Sequence, residues 1–159
     1  MNDYLNFQME ILKQEIDIIE KIIARIETVT QTIKNWALVS WTGSIGFALS
    51  NSELNNYIIL TGILPFLFWI LDASWRRNQK RSVYRSYKIK EFLNDKRLEL
   101  SFEKNKFIDF ELYDPVGNSH MKEIDYKKKV SLFKTVFYQE VIAFYLTLII
   151  ISIVLSLLI

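Results

Sequence analysis

The chain has 159 residues, of which 50% are hydrophobic and 24% are charged, and it contains no cysteine. This length predicts one domain, the net charge of +2 argues against a bulk nucleic-acid binder, and the lack of cysteine excludes disulfides, zinc fingers and cysteine nucleophiles. A single histidine excludes a His-based metal cluster and no catalytic motif is present, so the sequence predicts neither an enzyme nor a cofactor or metal site.

Residues 1–34 carry a heptad repeat without proline or glycine. The repeat predicts a cytoplasmic helix with an apolar seam, which leads directly into the first membrane segment, so one long helix is expected. Isoleucine at both seam positions favours trimers and larger assemblies. The alternatives are packing within the chain and an interfacial helix on the inner leaflet. The predicted oligomerisation residues are Leu12, Ile16, Ile19, Ile23 and Ile26.

Residues 35–72 predict a transmembrane helical hairpin. Two apolar stretches, 35–50 and 57–71, flank the hexapeptide NSELNN, which suits a tight turn. Pro65 lies within the second stretch, where a membrane helix tolerates it as a kink. The first stretch is less apolar, which leaves a re-entrant or interfacial hairpin as the alternative.

The first stretch contains the small residues Ser40, Gly43 and Ser44. Ser40 and Ser44 have the spacing that lets two membrane helices approach closely. Two interpretations stay open: these residues pack against the second membrane segment, or they line a water-filled path in a ring of subunits.

Residues 73–132 predict a small cytoplasmic module that begins with a basic helix. Seven Lys or Arg and no acid lie between Arg76 and Lys90. This cluster indicates a topology and lipid-headgroup signal, a binding site for a nucleotide or RNA, or salt bridges to the acidic N-terminal helix of another subunit. The candidate anion-binding residues are Arg77, Arg81, Arg85 and Lys88.

The rest of this module predicts a short β-hairpin, because apolar and polar residues alternate over 98–102 and 108–112. Residues 114–118 predict a turn, and His120, which follows it, is expected to be a solvated loop residue.

Residues 133–159 predict a C-terminal transmembrane helix. Its last 19 residues carry no charge, and as a helix they span about 28 Å, which matches the hydrocarbon thickness of a bilayer. Four Lys or Arg precede residue 35, none lies in the hexapeptide and sixteen lie between residues 72 and 140. The positive-inside rule therefore places the N-terminus and the middle region in the cytoplasm and the C-terminus outside. The predicted fold class is mainly α, an integral membrane protein with three transmembrane helices.

The run FWILDA (68–73), the basic segment SWRRNQKRSVYRSY that follows it and the later FIDFELYD resemble the RipA family of small octameric bacterial membrane proteins. The resemblance implies a homo-oligomer, octameric by the family's pattern, in the bacterial inner membrane. Related effectors accompany RNA-targeting CRISPR systems and suggest a pore that depolarises the membrane in phage defence, with a nucleotide, RNA or protein as trigger.

Those effectors have been discussed for an Arg-x4-His pattern, which His120 does not complete because Pro115 stands five positions before it. A nuclease role therefore receives no support. The expected function is an oligomeric pore or membrane-perturbing effector in defence or stress. The alternatives are a non-conducting scaffold or stress-tolerance factor and a two-helix effector of nucleotide-signalling defence operons.

Overall fold

The computed structural model describes residues 3–158, and all regular secondary structure in this range is helical. The helices are α1 (Asp3–Ser50), a 3₁₀ helix (Ser52–Gly62), α2 (Ile63–Leu93), α3 (Lys96–Lys104), α4 (Ile124–Lys129), α5 (Leu132–Val136) and α6 (Gln139–Leu158). The predicted mainly α fold class is confirmed.

The chain divides into two compact units, and α1 and α2 each contribute to both. Unit 1 contains the described residues up to Ile26 together with Asn78–Val130. Unit 2 contains Glu27–Arg77 and the described residues from Ser131 onward. Unit 1 therefore contains most of the heptad repeat and the basic middle region, and unit 2 contains the predicted membrane segments.

α1 is one continuous helix of 48 residues, as the sequence predicted. No proline or glycine interrupts the chain before Gly43, and the heptad spacing keeps one side apolar throughout the first half. Its buried apolar residues extend this side into the second half: Leu5, Leu12, Ile19, Ile26, Ile33, Ala37, Trp41, Ile45 and Ala48.

The hexapeptide ends α1 as predicted, because Asn51 adopts an extended conformation and its side chain accepts a hydrogen bond from the Glu53 amide at 3.1 Å. The expected kink at Pro65 is wrong. Pro65 lies in the first turn of α2, where the missing N–H group costs no intrahelical bond. The residues before it form a 3₁₀ helix instead of the first half of a kinked α-helix.

α2 continues to Leu93, so the predicted extension of the second membrane segment is confirmed. The predicted β-hairpin is wrong. Its first strand lies in α3, which Asp95 caps by accepting from the Arg97 amide at 2.9 Å and which ends at the left-handed Asn105. Its second strand, 108–112, has no regular secondary structure. The turn at 114–118 is confirmed by the Gly117 amide, which donates to the Asp114 carbonyl at 2.8 Å.

The core of unit 1 joins α1 to α2 and to the segment after α3. Its buried residues are Leu5, Leu12, Ile19, Ile89, Phe92 and Phe107. The Phe92 and Phe110 rings stack beside them with centroids 4.2 Å apart.

The core of unit 2 joins α1 to α6. Ala37 packs with Val141 and Tyr145, and Trp41 packs with Leu148. The Ser152 hydroxyl in α6 accepts hydrogen bonds from Trp41 Nε1 at 2.8 Å and from the Thr61 hydroxyl at 3.2 Å. These bonds tie α1, the 3₁₀ helix and α6 together.

Two helical stretches are long and apolar enough to cross a membrane, whereas the sequence predicted three. They are Ser52–Leu93 and Ile124–Leu158, with mean hydropathies of 1.8 and 2.8 in their most apolar windows. α1 does not reach the mean hydropathy of a candidate span, because serine, threonine and glycine are interspersed among the apolar residues of 35–50. The described residues therefore contain two candidate spans.

Candidate functional site

The most polar part of unit 1 is built around a buried ion pair between α1 and α2. The Glu15 carboxylate accepts from Arg85 Nε at 2.7 Å and from Arg85 Nη2 at 3.1 Å. It also accepts from the backbone amides of Tyr113 and Asp114, each at 2.9 Å. The side chains of Glu15 and Arg85 are 0% and 1% exposed. Both charges are thus fully partnered inside the protein, which is what allows them to be buried.

His120 joins this pair to a second acid. Its Nε2 lies 3.3 Å from Arg85 Nη1, and its Nδ1 lies 2.6 Å from Glu123 Oε1. Because a guanidinium group only donates hydrogen bonds, Nε2 must accept, and the ring proton therefore sits on Nδ1 and is donated to Glu123. The predicted solvated position of His120 is wrong, since only 16% of its side chain is exposed.

The Glu123 carboxylate is contacted by three hydrogen-bond donors. Besides His120, the Tyr84 hydroxyl lies 2.8 Å and Lys88 Nζ 3.2 Å from its carboxylate. Burial opposes its ionisation, but hydrogen bonds from His120, Tyr84 and Lys88 outweigh burial and lower the pKa of Glu123 to about 2. Burial and the hydrogen bond to Glu123 raise the pKa of Tyr84 to about 12, so its hydroxyl remains a donor at neutral pH.

A cavity of about 520 Å³ opens beside this network. Its wall carries both signs of charge, and the cations Arg85 and Lys88 are already paired with acids. A wall with both signs of charge suits a small ligand that both donates and accepts hydrogen bonds better than it suits a simple anion. The lining residues are Arg85, Lys88, Glu91, Phe92, Arg97, Asp109, Phe110, Glu111, Ser119, His120 and Glu123. Among residues 3–158, no group of acids and histidine is arranged to hold a metal ion.

The structure does not bring the four predicted anion-binding cations together on one exposed face. Arg77 is exposed, Arg81 is half-buried and donates to the Asn118 side chain, and Arg85 is buried in its ion pair. Lys88 is half-buried between Glu91 at 3.4 Å and Glu123 at 3.2 Å. Arg85 therefore serves the fold of unit 1, and anion binding by these four residues stays a prediction.

The predicted oligomerisation residues make their contacts within the single chain. Leu12, Ile19 and Ile26 are buried, and Ile16 and Ile23 pack against the unit 1 core. The alternative of packing within the chain therefore describes this helix, and self-association through these five residues stays a prediction.

The small residues of α1 lie away from its contacts with α6. Ser40 and Gly43 are exposed, and the half-buried Ser44 donates its hydroxyl to the Ser40 carbonyl at 2.8 Å. Apart from the nearby backbone of α1 itself, no atom of residues 3–158 lies within 4 Å of a Cβ built on Gly43 or Gly46. Packing of this face against the second predicted segment is not observed, so the face has no partner within the described part of the chain.

Unit 2 contains a polar cluster that the sequence did not reveal. Asp72 is fully buried beside the Tyr145 side chain, and within residues 3–158 neither of its carboxylate oxygens has a hydrogen bond of ordinary length and angle. Arg76 Nε lies 3.8 Å from Asp72, and Arg76 Nη1 lies 3.7 Å from Glu140. Lys34 Nζ reaches the Glu140 carbonyl at 3.5 Å. Charges from α1, α2 and α6 thus meet at one level of unit 2.

No protein-family model, curated protein or solved structure matches this chain. The resemblance to the RipA family therefore stays a prediction that depends on the short motifs of the sequence.

Proposed function

We propose that the chain is an integral membrane protein in which 35–50, 57–71 and α6 form a bundle of three membrane segments. Support comes from α6, whose most apolar window has a mean hydropathy of 2.8 while only 22% of it is buried. Apolar surface left in water costs about 25 cal/mol per Å². A bilayer removes this cost, and contiguous exposed apolar surface of this kind is typical of membrane or protein contact.

Segment 35–50 is included because its outward side chains also suit lipid. Trp36, Val39 and Phe47 are 60%, 69% and 68% exposed. Its opposite side is already packed on α6 through Trp41 and Ile45. A helix held against a membrane span on one side and apolar on the other is expected to share the bilayer with that span.

Unit 1 then lies in the cytoplasm of a bacterial cell. Sixteen Lys or Arg lie between residues 72 and 140, whereas the hexapeptide after α1 has none. The positive-inside rule places the basic region inside, and three crossings leave the end of α6 outside.

The membrane bundle associates with further copies through Ser40, Gly43 and Ser44, and the resulting ring acts as a pore or membrane-perturbing effector in defence or stress. The observation that carries this proposal is that Ser40 and Gly43 are exposed and that, among residues 3–158, no other segment lies within 4 Å of a Cβ built on Gly43. Small residues let two helix backbones approach closely, and serine hydroxyls can bond across the contact or face water. A nucleotide, RNA or protein ligand of unit 1 is the proposed trigger.

Leakage of a small dye from liposomes tests this function. Wild-type protein is expected to release the dye, and Gly43→Leu is expected to reduce both the release and the oligomer mass by blocking the close approach. Thr42→Leu is the matched control, because Thr42 lies on another side of α1.

The absence of leakage at any protein density, with or without candidate nucleotides, would reject the pore and favour the non-conducting scaffold. An unchanged oligomer mass for Gly43→Leu would reject the small-residue face as the contact.

A further inference from the structure

We propose that the segment 131–138, which contains α5, is an interfacial anchor that binds phospholipids at the headgroup layer of the inner leaflet. The sequence predicted that the residues from 133 onward belong to the C-terminal membrane helix, whereas α5 ends at Val136 and α6 begins at Gln139. This inference rests on the membrane location in the proposed function, and it adds an interfacial element to the three membrane segments.

α5 packs on the protein with one side and leaves an aromatic side exposed. Thr135 is buried, and Trp69 Nε1 in α2 donates to the Val136 carbonyl at 2.9 Å. Phe133 and Phe137 are 73% and 54% exposed, and their ring centroids lie 5.0 Å apart. Both are two residues from Thr135, which is about 200° around a helix. The two rings therefore form one apolar surface on the side that faces away from the protein.

The ends of the three proposed membrane segments meet at the level of α5. Ala37, near the start of the first segment, packs with Val141, near the start of α6. Trp69, near the end of the second segment, packs against the same cluster. Because Trp69 also holds the Val136 carbonyl, α5 lies at this common level. In a bilayer, this level is the boundary between hydrocarbon and headgroups.

Charged side chains at the same level also indicate this boundary. Arg76 Nη1 lies 3.7 Å from the exposed Glu140, and Lys34 Nζ lies 3.5 Å from the Glu140 carbonyl. Lys134 is exposed and forms no salt bridge among residues 3–158. Its ammonium group is therefore available to the phosphate of a lipid headgroup.

The composition of the exposed surface fits a lipid partner. Phe133 and Phe137 supply apolar area for the boundary between headgroups and acyl chains, and Lys134 lies between them in the chain. Only two residues separate α5 from α6, whose most apolar window is 22% buried and is proposed to contact lipid along its length. The aromatic surface is thus continuous in the chain with the lipid-facing helix.

Nitroxide spin labels test this contact, since the chain has no cysteine of its own. Full-length Phe133→Cys is labelled and reconstituted into vesicles of phosphatidylcholine and phosphatidylglycerol. Its collisions with oxygen, which concentrates in hydrocarbon, are compared with its collisions with a water-soluble nickel chelate. We expect oxygen collisions to exceed nickel collisions at position 133, as at Thr147→Cys on the exposed side of α6. Glu103→Cys, at an exposed position of α3, is the aqueous control, where nickel collisions should exceed oxygen collisions.

The possible results separate the anchor from the proposed function. An excess of nickel collisions at 133 with an excess of oxygen collisions at 147 would overturn the anchor and leave the membrane bundle standing. Exclusion of both reagents at 133 would show that protein covers the segment, and the inference would be wrong. An excess of nickel collisions at 147 would reject the membrane bundle itself, and the anchor with it.

Lys134→Glu tests the contact with phosphate. With the nitroxide at position 137, this substitution is expected to shift the ratio of collisions toward nickel, because a carboxylate is repelled by anionic headgroups. Lys106→Glu, at an exposed lysine of unit 1, is the matched control and should leave the ratio unchanged. Equal ratios for Lys134→Glu and the control would overturn the phosphate contact.

Discussion

Two charges, Glu15 of the heptad helix and Arg85 of the basic helix, are buried together in unit 1. Moving both from water costs several kcal/mol per ion, and their attraction offsets this only when every hydrogen-bonding position is used. Here Glu15 accepts four donors, and Arg85 also donates to the Glu111 carbonyl. The pair therefore attaches the loop at 111–114 to both long helices.

Removal of the negative charge from this pair is expected to destabilise the protein strongly. Glu15→Gln leaves the guanidinium group buried without a counter-charge, which typically costs about 3–5 kcal/mol. Thermal unfolding of the full-length protein in detergent measures the effect. Glu10→Gln, at an exposed position of the same helix, is expected to stay within about 0.5 kcal/mol of wild type. Equal unfolding midpoints for the two variants would contradict the structural role of Glu15.

Lowering the pH is expected to destabilise unit 1, because Glu123 becomes protonated. Its pKa is about 2 in the folded protein against an ordinary value of 4.5, because the hydrogen bonds from His120, Tyr84 and Lys88 outweigh the opposing effect of burial. The folded pKa is the lower one, so this stabilisation is complete above pH 4.5 and is lost as the pH falls toward 2. Unfolding midpoints measured across that interval should fall less steeply for Glu123→Gln than for wild type. Parallel pH profiles for the two proteins would exclude this contribution.

The partners of these residues were only partly predictable from the sequence. Glu15 stands three residues after Leu12 and four before Ile19, so it lies on the buried stripe, and an acid in that position indicates a buried partner. The identity of the partner could not be predicted, because Arg85 is 70 residues away in the chain. For the same reason His120 was predicted to be solvated, although Arg85 and Glu123 hold it in the network.

The long helices, whose apolar residues recur with a sustained helical period, were predicted correctly, whereas α3 was not. Leu98, Leu100 and Phe102 alternate with polar residues, which predicts a strand. In α3 only Leu98 of these three packs against the unit 1 core, and Leu100 and Phe102 are both exposed. The caps at Asp95 and Asn105 favour the helix over the strand, and five residues of alternation are too few to outweigh them.

Gly117 is expected to be the least replaceable glycine. Its φ of +70° lies in the left-handed region, and a Cβ at this position would lie 3.0 Å from the Arg81 carbonyl oxygen on α2. Gly117→Ala should therefore destabilise unit 1 by about 1–3 kcal/mol. Gly46→Ala is the control, because its Cβ would meet open space on a helix. Thermal unfolding compares the two variants, and equal stability would contradict the strain at Gly117.

At the scale of the whole molecule, the apolar seam of α1 packs against other segments of its own chain. Ile16 and Ile23 pack against the unit 1 core, so charged substitutions there would disturb folding before they reported on assembly. Among the described residues, the side of α1 that carries Ser40 and Gly43 is exposed in unit 2. This side lies on a helix that the sequence predicted, but which side of the helix is exposed depends on the packing of the whole chain.

The central proposal is that the chain crosses the membrane three times, with the weakly apolar segment 35–50 as one crossing. The most direct measurement is the labelling of single-cysteine variants in intact cells by a membrane-impermeant maleimide. We expect Ser52→Cys to be labelled from outside, and Lys13→Cys and Lys127→Cys to be labelled only after permeabilisation. Labelling of Ser52→Cys and Lys13→Cys from the same side would show that α1 does not cross, and it would contradict the three-segment bundle.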